Sequence, residues 1–159
     1  MYLDSAYNWL FENRILLSQY PSQELFDFYV DDLKIDVIIS LTESKPQLDL
    51  AKYKKSILHL HFPIKDFSIP SVEETQSILQ KLYYEYSNEK VIVIHCIAGC
   101  GRTGTIATLL YWLIINKEGI ATSIQDSLSF VRKVRPCSVE SSLQEEFLRN
   151  FVLTYDSNI

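Results

Sequence analysis

Four short apolar runs punctuate the chain, and most of the intervening sequence repeats its apolar residues every three or four positions. The runs Arg14–Ser18, Ile35–Leu41, Ile57–Phe62 and Val91–His95 predict strands, and the last is apolar enough to be buried on both faces. Between the first two, Ser22–Leu33 carries Leu25, Phe28, Tyr29 and Leu33 on one stripe, which predicts a helix. Ser71–Tyr86 opens on a capping box, Ser71-x-x-Glu74, and repeats apolar residues at Val72, Leu79, Leu82 and Tyr86. Thr103–Asn116 is apolar almost all round and is predicted as the buried central helix. Thr122–Val134 opens with Thr122-x-x-Gln125 and offers Ile124, Leu128 and Val131 to a core, before Arg135-Pro136 stops it. Ser138 is then predicted to cap a last helix carrying Leu143, Phe147 and Phe151. Strands and helices that alternate and then give way to helices predict an α/β fold, a central and mainly parallel sheet flanked by helices.

Length and composition narrow the class without naming a function. At 159 residues, 47% hydrophobic and 22% charged, the sequence is expected to form a single domain over 1–159. A net charge of −5 disfavours a nucleic-acid or anionic-membrane partner, although an acidic protein can hold a locally positive pocket. The opening Met1–Ser5 shows no charged-then-apolar leader pattern, and the most apolar stretch, Ile106–Ile115, is too short to span a bilayer. Three irregularly spaced cysteines make no disulfide framework and suit a reducing compartment. A cytoplasmic address is therefore expected.

The chemistry concentrates in His95-Cys96-Ile97-Ala98-Gly99-Cys100-Gly101-Arg102-Thr103-Gly104. The segment joins the end of the most buried strand to the start of the central helix. A loop of this length can curl so that its amides converge on one centre, where the helix dipole also favours an anion. Arg102 adds a planar two-pronged donor matched to phosphate oxygens. Cys96 lies at the floor of that cup, in positive surroundings that favour a thiolate. Taken alone, Cys96 is also compatible with a small buried hydrophobe at a strand end, but that reading leaves Gly99, Gly101 and Arg102 without a reason.

His-Cys-x5-Arg-Thr-Gly resembles the catalytic loop of the cysteine-dependent protein tyrosine and dual-specificity phosphatases. The likeness extends along nearly the whole chain in the right order, through the Trp9–Pro21 segment, the loop around Asp66, the signature and the Arg135–Gln144 region. It is strongest with the small, compact dual-specificity-like members, and it implies a protein-tyrosine-phosphatase-like fold. By this resemblance Cys96 is the nucleophile that forms a cysteinyl-phosphate. Arg102 and the backbone of Ile97, Ala98, Gly99, Cys100, Gly101 and Arg102 hold the phosphate oxygens. Thr103 donates to the thiolate, and His95 supports the loop. Asp66, in Asp-x-x-x-Pro spacing, is similar to the family's general acid, and Gln144 to the residue that positions the second-step water. Glu140 lies four residues before it. Asp31, Asp32, Asp36 and Asp49 have no comparable placement.

The implied activity is hydrolysis of phosphotyrosine, and of phosphoserine or phosphothreonine as an extension, on phosphorylated protein substrates. No cofactor and no metal is expected, and the protein is expected to act as a monomer. The same loop chemistry also serves phosphoinositide and RNA 5′-triphosphate phosphatases, and a phosphate-binding module without turnover is the non-enzymatic alternative. Ile97, Ala98 and Cys100 carry no charge for extra phosphates, and the acidic balance disfavours RNA. Two departures stand out: Cys100 inside the loop, and Cys137 where the family often has glycine after Arg-Pro. Each is read either as an inert small residue or as a partner for oxidised Cys96.

Overall fold

The computed structural model describes residues 6–155; the opening Met1–Ser5 segment, read above for a leader, lies outside the described residues. Its sheet has five strands: β1 (Tyr7–Phe11), β2 (Ile15–Ser18), β3 (Val37–Ser40), β4 (Leu58–His61) and β5 (Ile92–His95). They lie in the order β1-β2-β5-β3-β4, with β2, β5, β3 and β4 parallel and β1 antiparallel at the edge. The mainly parallel α/β architecture is therefore as expected. β1 adds a strand to the expected set, because Tyr7-Asn8-Trp9-Leu10-Phe11 has no clean alternation of polar and apolar residues.

Five helices complete the described fold: α1 (Gln23–Asp31), α2 (Val72–Ser87), α3 (Gly101–Lys117), α4 (Ile124–Val134) and α5 (Ser142–Thr154). One face of the sheet offers Leu16, Ile38 and Val93, which pack with Phe26, Tyr29 and Val30 of α1. The other offers Leu17, Ile39 and Ile94 to Ile78, Leu79 and Leu82 of α2, to Ile106, Leu109 and Leu110 of α3, and to α4 and α5. Period-two side-chain alternation sends neighbouring strand residues to the two cores, so the central strands read as unbroken apolar runs. α3 buries most of its circumference, as its composition dictates.

Two caps fall elsewhere than expected. Ser123, not Thr122, caps α4 by accepting from the Asp126 amide at 3.0 Å. Ser141, not Ser138, caps α5 in a box with Gln144. The Ser71–Glu74 box on α2 forms as its sequence implies.

Parallel strands bring their carboxyl ends to one edge. β5 sits between β2 and β3, so the loop that leaves it opens in the crevice where doubly wound sheets hold their ligands.

Candidate active site

The segment after β5 is shaped by where its carbonyls go. The Cys96 carbonyl accepts from His95 Nδ1 at 2.9 Å. The Ile97 carbonyl accepts from the Tyr20 amide at 2.7 Å, and that of Cys100 from the amides of Gly104 at 2.9 Å and Val139 at 3.0 Å. Arg135 takes the next two, donating from Nη2 to Ala98 at 2.9 Å and from Nε to Gly99 at 2.8 Å. Thr105 Oγ1 donates to the Gly101 carbonyl at 2.7 Å. Every carbonyl from Cys96 to Gly101 is thus engaged by a protein donor. The amides from Ile97 to Gly101 find no backbone acceptor among the described residues. Converging N–H groups at a helix start make an anion cup, with α3 adding its positive end.

Two glycines permit the close packing. Gly99 has φ +74°, and a Cβ there would lie 2.4 Å from the Ser18 carbonyl oxygen. Gly104, in the first turn of α3, leaves no room for a side chain beside the Val139 amide and Ser138.

Cys96 is 3% exposed and is the free cysteine of the chain. The reading of three unbridged thiols, and of Cys100 or Cys137 as a partner for Cys96, is corrected: Cys100 and Cys137 are disulfide-bonded to each other, with Cα atoms 5.2 Å apart. The turn after α4 packs against the loop through the Val139–Cys100 hydrogen bond, which brings the two sulfurs together.

Arg102 is buried, with its guanidinium held from behind. Nη1 donates to the Ile64 carbonyl at 2.8 Å and Nη2 pairs with Asp66 Oδ1 at 3.2 Å, while Nε has no protein partner. Asp66 has a side chain 52% exposed and stands over the cup on the loop after β4. Its amide donates to Glu43 Oε1 at 3.3 Å, and its own Oδ1 accepts from the Phe67 amide. Thr103 is fully buried, and its hydroxyl makes no hydrogen bond to the protein. Gln144 is also buried. Its Oε1 accepts from the amides of Glu140 and Ser141, and its Nε2 lies 3.4 Å from the Ser68 carbonyl. A Cβ on Gly101 would sit 3.1 Å from that Nε2, so Gln144 bridges the cup and the Asp66 loop. Glu140 precedes α5 rather than riding on it.

Of the expected site residues, Arg102 pairs with Asp66, Gln144 lies beside Gly101 and reaches the Asp66 loop, and His95 holds the Cys96 carbonyl, all about one loop. Those the sequence reading missed lie underneath it. Arg135 was legible only as the end of α4, yet it clamps two loop carbonyls and donates to Asn8 Oδ1 from β1. Tyr20 stacks edge-on to His95 with ring centroids 5.5 Å apart. Four lysines near another cavity, of about 450 Å³ and lined by Lys34, Lys52, Lys54 and Lys55, belong to the opposite, amino end of the sheet.

His95 is fully buried, and burial pushes its imidazole down to about 4, against the bond to the Cys96 carbonyl, which favours the charged form. An unfolded histidine titrates near 6.5, so the unfolded chain binds this proton first as pH falls. Stability present above pH 6.5 should decline down to about pH 4, by about 3 kcal/mol from this group. Asp27, lowered to about 2 chiefly by its bond to Lys52, loses its contribution only below that window. Urea unfolding at pH 7 and at pH 4 measures this loss together with that of His59, which burial also lowers to about 4, and an equal stability at both values would contradict it.

Residues 18–118 match the family described as "Polymorphic toxin system, DSP-PTPase phosphatase". An uncharacterized protein of Methanocaldococcus jannaschii is 34% identical over 130 residues, which span 80% of this chain and 76% of that protein. Mouse protein tyrosine phosphatase type IVA 3 is 26% identical over 137 residues, 80% of this chain and 73% of its own length. Among solved structures, Tk-PTP in its active form superposes with a TM-score of 0.80 at 28% identity, over 98% of this chain and 100% of that one. DUSP15 shares the fold with a TM-score of 0.74 at 20% identity, over 92% of this chain and 87% of its own.

Proposed function

Because the chain belongs to the DSP-PTPase phosphatase family and is a hydrolase of phosphate esters, we propose that it removes phosphate from phosphotyrosine-bearing proteins through a cysteinyl-phosphate. The observation that carries this reading is that every carbonyl from Cys96 to Gly101 is taken by a protein donor, which supports a loop whose amides are left for an anion beside the free thiol.

In the first step the Cys96 sulfur attacks phosphorus as the ester P–O bond breaks, and Asp66 gives its proton to the departing phenolic oxygen. Charge spreading over the equatorial oxygens is met by the loop amides and by Arg102, whose Nε is free to receive one of them. Phosphate competes with Asp66 for Arg102, so substrate entry opens that ion pair, and the released carboxylate takes up a proton from solvent before it acts as acid. In the second step Asp66, now a carboxylate, takes a proton from water held by Gln144. The water oxygen bonds to phosphorus, and the thiolate leaves toward the unpartnered Thr103 hydroxyl. His95 holds the loop and stays neutral.

Neutral side chains at Ile97, Ala98 and Cys100 support a singly phosphorylated substrate over a polyphosphorylated lipid. The reading keeps one domain over 1–159, acting as a cytoplasmic monomer without metal or cofactor. The Cys100–Cys137 bridge is the feature that opposes a reducing compartment. p-Nitrophenyl phosphate should be hydrolysed at a rate unchanged by a chelator and suppressed by vanadate, which mimics the five-coordinate phosphorus. No turnover in that assay would leave a phosphate-binding module.

A further inference from the structure

Under the cup, the sheet carries a row of polar residues where apolar ones would suffice. In register across the carboxyl ends stand Ser18 on β2, His95 on β5, Ser40 on β3 and His61 on β4. Two rows back on β4, opposite Ile38, is His59. Ser40 Oγ lies 2.6 Å from His95 Nε2 and 2.8 Å from His59 Nε2, so one hydroxyl links two imidazoles.

Proton counting orients this chain. His95 Nδ1 lies against the Cys96 carbonyl, which can only accept, so Nδ1 carries the hydrogen. Burial keeps the ring neutral, which leaves Nε2 bare and makes it the acceptor of the Ser40 O–H. Ser40 has a single hydrogen to give, so its second contact must arrive as a donor. That donor is His59 Nε2–H. Burial lowers His59 as well, to about 4, so both rings stay neutral through the range in which phosphate esters are hydrolysed. The charged or titratable groups that act on His59 are Lys45 from the segment after β3, His95 from β5 and His61 from its own strand. Those acting on His95 are Arg102 and His61, beside its bond to Cys96. The four partners His59, Ser40, His95 and Cys96 therefore admit one proton arrangement in which each donor points toward Cys96.

We propose that His59, remote from the substrate, is a positioning residue for the nucleophile, acting through Ser40 and His95 on the Cys96 carbonyl. Without its N–H, Ser40 loses its incoming bond and turns its own hydrogen elsewhere. His95 can then carry its proton on Nε2, and the floor of the cup loses its fixed donor. Such oriented chains reinforce each bond within them, so an effect reaches Cys96 although His59 does not touch it. The proposal rests on Cys96 being the nucleophile.

The test uses the full chain with the Cys100–Cys137 bridge intact, so that Cys96 is the thiol alkylated. The rate of Cys96 modification by iodoacetamide is followed against pH by mass spectrometry, beside the kcat/KM profile on p-nitrophenyl phosphate and the melting temperature. His59→Leu removes the donor at similar volume, and His59→Gln returns an N–H close to the place of Nε2. On the acid side of both curves, His59→Leu should lower the rate roughly three- to tenfold, the value of one hydrogen bond, with the midpoints moving up together. His59→Gln should lie near wild type. Ser40→Ala should reproduce the His59→Leu shift, and the double variant should add nothing to it. That pair also carries the test if His59→Leu does not fold.

Wild-type curves in His59→Leu, or equal displacement of His59→Leu and His59→Gln, would overturn the role of His59. So would additivity with Ser40→Ala. Failure of the underlying reading looks different: wild-type alkylation and kcat/KM would then follow unrelated pH dependences, whatever stands at position 59.

Discussion

Cys96→Ser is expected to abolish turnover while leaving a folded protein that still binds a phosphotyrosine peptide. The side chain is 3% exposed at the end of β5, and oxygen in place of sulfur changes its volume little. The amides, Arg102 and the Arg135 clamp are all outside the substitution. What disappears is the nucleophile, since a serine hydroxyl in this cup has no base beside it: His95 is turned away, with one nitrogen on the Cys96 carbonyl and the other on Ser40. The loss should reach at least 10³-fold, roughly the scale on which removal of a nucleophile leaves only binding and electrostatic catalysis. Steady-state assays with calorimetric titration of the peptide separate the two properties. Substantial turnover by the variant would remove Cys96 from the chemistry.

The second large effect depends on the leaving group. Asp66→Asn takes away the proton donor but keeps a group of the same shape beside Arg102 and the Phe67 amide. A tyrosine phenol ionises near pH 10 and is a poor anion to expel. The variant should therefore lose about 10²–10⁴-fold in kcat on a phosphotyrosine peptide. On p-nitrophenyl phosphate, whose leaving group is a far more stable anion, the loss should be clearly smaller. The basic limb of the kcat/KM profile should flatten at the same time. Equal losses on both substrates with an unchanged profile would make Asp66 a turn residue and place the acid elsewhere.

The legible part of this protein is what depends on neighbours in sequence. Ile92–His95 is apolar throughout because it is covered on both faces, and the cup follows it because a helix must start where that strand stops. Ser71-x-x-Glu74 closes on itself and needs nothing from the rest of the chain. The Thr122-Ser123 pair and the serines at 138, 141 and 142 each offer several hydroxyls, and the one used is the one whose third following amide falls within reach. Local pattern does not decide that. β1 was hidden because an edge strand among aromatic residues needs no alternation. Arg135 was hidden because its direction is set by the packing of the turn after α4 against the loop. The Cys100–Cys137 pair is a consequence of the same packing, and no spacing in the sequence announces it.

That packing bears on what kind of object the signature is. The carbonyls of Ala98 and Gly99 are satisfied by a residue that lies beyond α4, and Gly99 nests against the backbone of Ser18, on the far side of β5. Grafted onto another strand–helix junction, Cys96–Arg102 would leave the Ala98 and Gly99 carbonyls without donors, each costing roughly 1–3 kcal/mol. The segment would spring toward an ordinary turn, with amides scattered. The ten residues from His95 to Gly104 are thus not a portable part. They are the visible tip of a unit that includes the first and last thirds of the chain, and a transplant that hopes to carry phosphate chemistry must bring Arg135 with it.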